Sequence, residues 1–219
     1  MIEIRHLAGF DAAFGELGLK VGPRTGVAKR TQADKEWYVV RRFLNAALRA
    51  GICIAPVTVE KLDPPAPDFG LRSESGAVTG LIEITEATHP GDQREMTEIE
   101  RSDEPALLGE FGGRFADGAS QPGWEWATDI LDAVDRKTGK AIYVSSATSR
   151  HLVIYPNSNA SFLIFNKKEE RSAFAILFDS IASKRQKLIG LVNGCAVHVL
   201  GKDHVCFDVI GKAKLVSRN

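Results

Sequence analysis

Asp68 and Glu83 are the two residues whose setting most needs a chemical reason. Asp68-Phe-Gly-Leu-Arg72 reads as one arm of a hairpin, Ser73 to Gly76 as its turn region and Val78 to Ala87 as the other arm. Leu81-Ile-Glu-Ile-Thr85 carries the clearest strand signal, and alternation points Glu83 and Thr85 to one face while Ile82 and Ile84 fill the other. With Asp68 turned the same way, two carboxylates lie one strand spacing apart, roughly 5 Å. Carboxylates that close repel, and each is driven toward its protonated form unless a cation neutralises the pair. Hard oxygen donors of this kind suit Mg²⁺ or Mn²⁺, ions that keep several waters and accept phosphate oxygens as further ligands.

The elements that must position this pair can be read from the same sequence. A first helix is expected from about Asp34 to Ala50, with Thr31 or Asp34 as its N-cap, Gly51 at its end, and Val40, Phe43, Leu44, Ala47 and Leu48 as its buried stripe. Pro64, Pro65 and Pro67 then set an extended entry to the hairpin. A second helix is expected from Glu125 to Thr138, with Trp126, Ile130 and Val134 on one face. At about 100° per residue, Lys137 falls near the centre of that stripe and should point at the sheet. A lysine in the last turn also suits the helix dipole and can snorkel outward. His151 to Tyr155 and Ser161 to Phe165 read as strands. Asn166 can cap a third helix to about Lys184, in which Phe174, Leu177, Phe178 and Ile181 recur at helical spacing. Leu188 to Val192, Ala196 to Leu200 and His204 to Ile210 complete the strand pattern. Residues 1–33 read as an irregular arm with one short amphipathic turn near Phe10 and Phe14, and residues 88–124 as a long polar excursion with a short helix near Arg94 to Arg101. The whole is one α/β domain over residues 1–219, its core from about residue 34.

Pro67-Asp68 and Glu83-Ile84-Thr85, preceded by a helix and followed by a helix and a strand, resemble the PD-(D/E)XK nuclease superfamily. The resemblance covers about Asp34 to Phe165. It implies a restriction-endonuclease-like mixed central sheet flanked by helices, and a phosphodiester hydrolase dependent on Mg²⁺ or Mn²⁺, with DNA as the expected substrate. Asp68, Glu83 and the backbone carbonyl of Ile84 would hold the metal. Thr85 stands where the family carries its motif lysine; its hydroxyl can orient water but has no charge. Because members of the family move the lysine onto the following helix, Lys137 is the candidate replacement and Lys140 its alternate. Glu36 is a further candidate ligand, since the family sometimes places an acid on the first helix; dipole stabilisation explains it equally well. The alternative is a catalytically degenerate protein that keeps the scaffold as a nucleic-acid-binding or protein-interaction module.

Other constellations carry less. Cys195, His198, His204 and Cys206 hold zinc-type donors, but Cys195 and His198 differ by three and point to opposite faces of a regular strand, so they are read as hairpin packing. Trp124 and Trp126, or Trp37 and Tyr38, could stack on bases; beside helix starts they are read as core or staple residues. Gly22 to Lys29 lacks the spacing of a phosphate loop. Neither a Gly-x-Ser-x-Gly elbow nor a His-Glu-x-x-His pair occurs.

The composition frames these readings. The 219 residues carry 28 basic and 28 acidic side chains, yet residues 136–219 hold 14 basic against 5 acidic and residues 60–135 hold 5 against 18. An acidic middle with basic flanks can bind a divalent cation and still meet a polyanion, or the halves can neutralise one another. On the first reading Lys167, Lys168, Arg171, Lys184, Arg185 and Lys187 contact phosphates, with Lys140 beside them. No window approaches a membrane span, the first residues lack a signal peptide's apolar stretch, and three scattered cysteines argue against a disulfide framework, so a cytoplasmic protein with no membrane partner is expected. A homodimer is left open.

Overall fold

The computed structural model describes residues 1–17, 31–88, 122–138, 149–156, 167–183, 195–200, 203–207 and 213–218. In chain order these form β1 (Ile2–Ile4), α1 (Phe10–Gly15), α2 (Gln32–Arg49), β2 (Val57–Lys61), β3 (Phe69–Arg72), β4 (Val78–Ala87), α3 (Pro122–Thr138), β5 (Ser149–Pro156), α4 (Lys167–Ser183), β6 (Cys195–Leu200), β7 (Asp203–Phe207) and β8 (Ala213–Arg218). The eight described strands make one sheet in sequence order. Strand β5 runs parallel to both β4 and β6, and every other described pairing is antiparallel. The two parallel steps are those whose connections contain α3 and α4, as a parallel pair requires a crossover.

The sheet is covered on both faces, and alternation along the strands assigns each residue to its side. On β5, Val153 packs with α2 residues such as Val40, Phe43 and Leu44, while Leu152 and Ile154 pack with Ile130 and Val134 of α3 and Leu177 and Ile181 of α4. Helix α2 starts at a capping box: the Thr31 hydroxyl accepts the Asp34 N–H, and the Asp34 carboxylate accepts the Thr31 N–H. It ends before Gly51, whose φ of +69° is open to glycine at little cost. The hairpin turn between β3 and β4 closes through hydrogen bonds Ser73 N–H to Ala77 O and Gly76 N–H to Ser73 O, with Gly76 at a φ of +81°.

Three expectations are corrected here. Residues 2–4 belong to the sheet rather than to an irregular arm, because Ile2 and Ile4 pair with β2 and face the core together with Phe10 and Phe14. Three residues are too few for periodicity to register, so only the pairing reveals the strand. Phe178 is exposed on α4, where the buried stripe is Ala173, Leu177 and Ile181 at every fourth position. Strand β8 extends the sheet beyond the last strand read from the sequence. The short helix near Arg94 to Arg101 and the strands Ser161 to Phe165 and Leu188 to Val192 lie outside the described residues. No helix among the described residues is long and apolar enough to cross a membrane.

Candidate functional site

Strand β3 pairs Phe69 with Ile82 and Gly70 with Leu81, so the next step of the same register brings Asp68 opposite Glu83. There the backbone ladder ends and a side chain continues it: Asp68 Oδ2 accepts the Ile84 N–H at 2.7 Å. Glu83 lies in register with Leu152, whose side chain faces α3 and α4, so Glu83 looks toward the same side. Thr85, in register with Ile154, shares that face and is buried. Ile82 and Ile84 pack on the α2 side, which is the alternation expected for this strand.

Helix α3 delivers Lys137 onto this face. Ile130, Ala133 and Val134 are fully buried beneath the helix, and Lys137 follows them at helical spacing. Its Nζ donates to Glu83 Oε1, and Arg136 Nη2 donates to the Glu86 carbonyl at 3.1 Å, tying the last turn of α3 to β4. The Lys137 and Glu83 side chains retain only 23% and 20% of their exposure. The second oxygen of Glu83, Oε2, is buried without a hydrogen-bond partner among the described residues. Leaving a buried charged acceptor unmatched costs about 1–3 kcal/mol.

The α2 side contributes a second ion pair. Lys61, the last residue of β2, donates to Glu36 Oε2 at 2.6 Å and lies 3.9 Å from Asp68 Oδ1. Its ammonium stands 4.9 Å from the centroid of the Phe69 ring, which in turn meets Trp37 edge-on. Glu36 is held from its other oxygen by Gln32 Nε2 at 3.0 Å. The structure therefore collects Glu36, Lys61, Asp68, Glu83 and Lys137 where β2 ends and β3 begins. Lys61 is absent from the sequence reading, since a lysine at a strand end carries no periodic signal; only its pairing opposite Phe69 brings it to the carboxylates.

Burial lifts the Asp68 carboxyl above its ordinary value. The neighbouring charges of Glu83 and Glu36 push the same way, whereas the Ile84 N–H and Lys137 oppose them. Desolvation and like charge prevail over the donors present, the imbalance that a bound cation would reverse. Among the described residues no three His, Cys, Asp or Glu side chains are grouped as ligands of one ion. Of the three carboxylates here, Glu36 is engaged by Lys61 and Glu83 by Lys137 through one oxygen.

The remaining candidates are dispersed. Lys168 and Arg171 are exposed on α4, and Lys167 begins that helix. Lys140, Lys184, Arg185 and Lys187 lie outside the described residues. His198 is fully buried, opposite Cys206 in the β6–β7 register, with its Nε2 3.1 Å from His151 Nδ1 and its ring against Phe43. Trp37 and Trp126 are core residues, while Trp124 is 54% exposed at the start of α3.

Fold and site together define an α/β protein whose mixed sheet carries a carboxylate pair flanked by two lysines. Compared with family models, curated proteins and solved structures, the chain matches none.

Proposed function

We propose that the chain is a divalent-metal-dependent nuclease that hydrolyses phosphodiester bonds of DNA. The observation that carries the reading is the meeting of Asp68, Glu83 and Lys137, with Glu83 Oε2 buried and unmatched among the described residues. The order helix, three strands, helix, strand from α2 to β5 agrees with the resemblance to the PD-(D/E)XK superfamily and its restriction-endonuclease-like sheet.

On this reading Asp68 and Glu83 hold Mg²⁺ or Mn²⁺, together with the Ile84 carbonyl. The N–H and C=O of one residue in a strand point to the same side, and the Ile84 N–H is directed at Asp68. The bound cation supplies polarisation of the phosphate and a lowered pKa for an attacking water. Lys137 stands where its charge can follow the phosphate oxygens as negative charge builds on them. Thr85, two residues beyond Glu83 on the same face, offers a hydroxyl to orient the water. Exposed Lys168 and Arg171 on α4 extend positive charge for the DNA backbone.

A second reading rests on the fact that each lysine already grips a carboxylate. The cluster then serves as an internal counter-ion network in a non-catalytic nucleic-acid-binding module. Calorimetric titration of Mg²⁺ and Mn²⁺ into wild type and Glu83→Ala, with cleavage assays on labelled single- and double-stranded DNA, separates the two. Metal uptake and cleavage lost together in the variant support the nuclease. Wild type that takes up no ion and cuts nothing, even with DNA present, leaves the binding module.

A further inference from the structure

The Lys61 ammonium lies between the Glu36 and Asp68 carboxylates. Glu36 Oε2 is 2.6 Å from the Lys61 ammonium, Asp68 Oδ1 is 3.9 Å away, and the Phe69 ring face closes a third side at 4.9 Å. Glu36 is the less exposed partner of its pair, at 13% against 33% for Lys61. Its backbone is fixed in α2, and its free oxygen is taken by Gln32. The ring face suits an ammonium, which sheds its water more readily against a π surface than a strongly hydrated divalent ion does.

We propose that Lys61 is a permanent second cation of the site, occupying the place between Glu36 and Asp68 that a second metal ion would need and so limiting the protein to one exchangeable ion, held by Asp68 and Glu83. The inference rests on the metal reading of that pair given above. Its basis in charge is direct. With Glu36, Asp68 and Glu83 ionised, three negative groups face the two positive groups Lys61 and Lys137, a net charge of −1. One divalent ion brings the cluster to +1, and two would bring it to +3 with an ammonium wedged beside them. Asp68 is the shared member: one oxygen faces Lys61 while the carboxylate stands opposite Glu83, so Lys61 acts as a positioning residue and selects the number of ions.

The test counts ions rather than turnovers. Mn²⁺ is titrated by calorimetry into wild type, K61M and the K61M/E36Q double variant, and spin resonance of the loaded proteins shows whether bound Mn²⁺ ions are isolated or coupled. Met keeps the stem packed on Phe69 and removes only the charge. Wild type should bind one ion with an isolated spectrum, K61M two ions with a coupled spectrum, and the double variant one again. One ion in K61M, or two in wild type, overturns the proposal. No ion in wild type overturns the metal reading of Asp68 and Glu83 itself, a distinct result. K61Q is made in parallel so that a folded charge-free variant is in hand if K61M does not fold, and the wild-type count stands without either.

Discussion

The Ile84 N–H reaches across to Asp68 Oδ2 at 2.7 Å, so a side chain takes the place of the backbone acceptor that β3 lacks one step past its end. This bond places a carboxylate opposite Glu83 at a cost, since burial and the neighbouring acids raise the Asp68 proton affinity. A carboxyl whose folded value lies above its ordinary 3.8 binds its proton more tightly when folded. Its contribution to stability is full below that value and is lost as pH rises through the folded one. Asp68→Asn keeps an acceptor for Ile84 without the charge, so in metal-free buffer it should match wild type in acid and exceed it at neutral pH. Asp68→Ala leaves the N–H unmatched and should fall below Asn by about 1–3 kcal/mol. Urea unfolding in chelator across that range reads both effects; an Asn variant weaker than wild type at neutral pH contradicts the account.

Lys137 separates structure from chemistry. Its pair with Glu83 is intermediate between a surface bridge, worth up to about 1 kcal/mol, and a buried one, whose rupture costs about 3–5 kcal/mol. Lys137→Met should therefore destabilise the metal-free protein by about 1–3 kcal/mol. On the nuclease reading it should retain Mn²⁺ uptake while losing cleavage by about 10²–10³-fold. Adding Thr85→Lys to that variant returns a lysine to Glu83's face, and a partial recovery of cleavage is expected. Cleavage undiminished in Lys137→Met would remove the lysine from the mechanism.

How much of this arrangement was legible depends on whether it is periodic. The face of Glu83 followed from alternation through Ile82 and Ile84, and the inward turn of Lys137 from its spacing to Ile130 and Val134. The hairpin was legible from its turn residues, but the juxtaposition of Asp68 and Glu83 was conditional on Asp68 facing the same way, since the register shifts by one residue between Leu71 and Arg72 and counting from the turn does not give it. Lys61 was invisible because it reaches the site through tertiary pairing: β2 against β3 and α2 across the sheet. The three-residue β1 escaped for the same reason, being a strand only by virtue of its partner. The Cys195 to Cys206 group turned on one point, the face to which His198 points, and there it meets Phe43 and His151 in the core.

Helix α2 carries Glu36, and its start is fixed by Thr31 and Asp34 together: one is the N-cap and the other its reciprocal partner. Thr31→Ala should cost about 1 kcal/mol, whereas Thr31→Ser keeps the capping hydroxyl and should be near neutral. Because the first turn sets where Glu36 meets Lys61, the alanine variant should also loosen amide protection there while leaving β5 unchanged. Hydrogen exchange resolved by residue checks this, and uniform loosening across the sheet would argue against a local role.

The buried pair His151 and His198 should set the protein's acid limit. His151 sits on β5 with Ser149 Oγ 3.3 Å from its Nε2, His198 Nε2 3.1 Å from its Nδ1 and the Phe43 ring 5.3 Å away. Burial pushes its proton affinity down from 6.5 to about 4, so the folded protein holds it neutral where the unfolded chain would protonate it. A base depressed in this way contributes stability that is complete above its ordinary value and is lost as pH falls toward the folded one. One such group gives a slope of up to about 1.4 kcal/mol per pH unit across that window. His151→Phe keeps an aromatic ring against Phe43 and removes the titration, while leaving His198 one acceptor or donor short. That variant should be weaker than wild type near neutral pH and lose less stability between about pH 6.5 and about pH 4, so that the two unfolding free energies converge on acidification. Parallel slopes in both proteins would show that acid unfolding is governed by other groups.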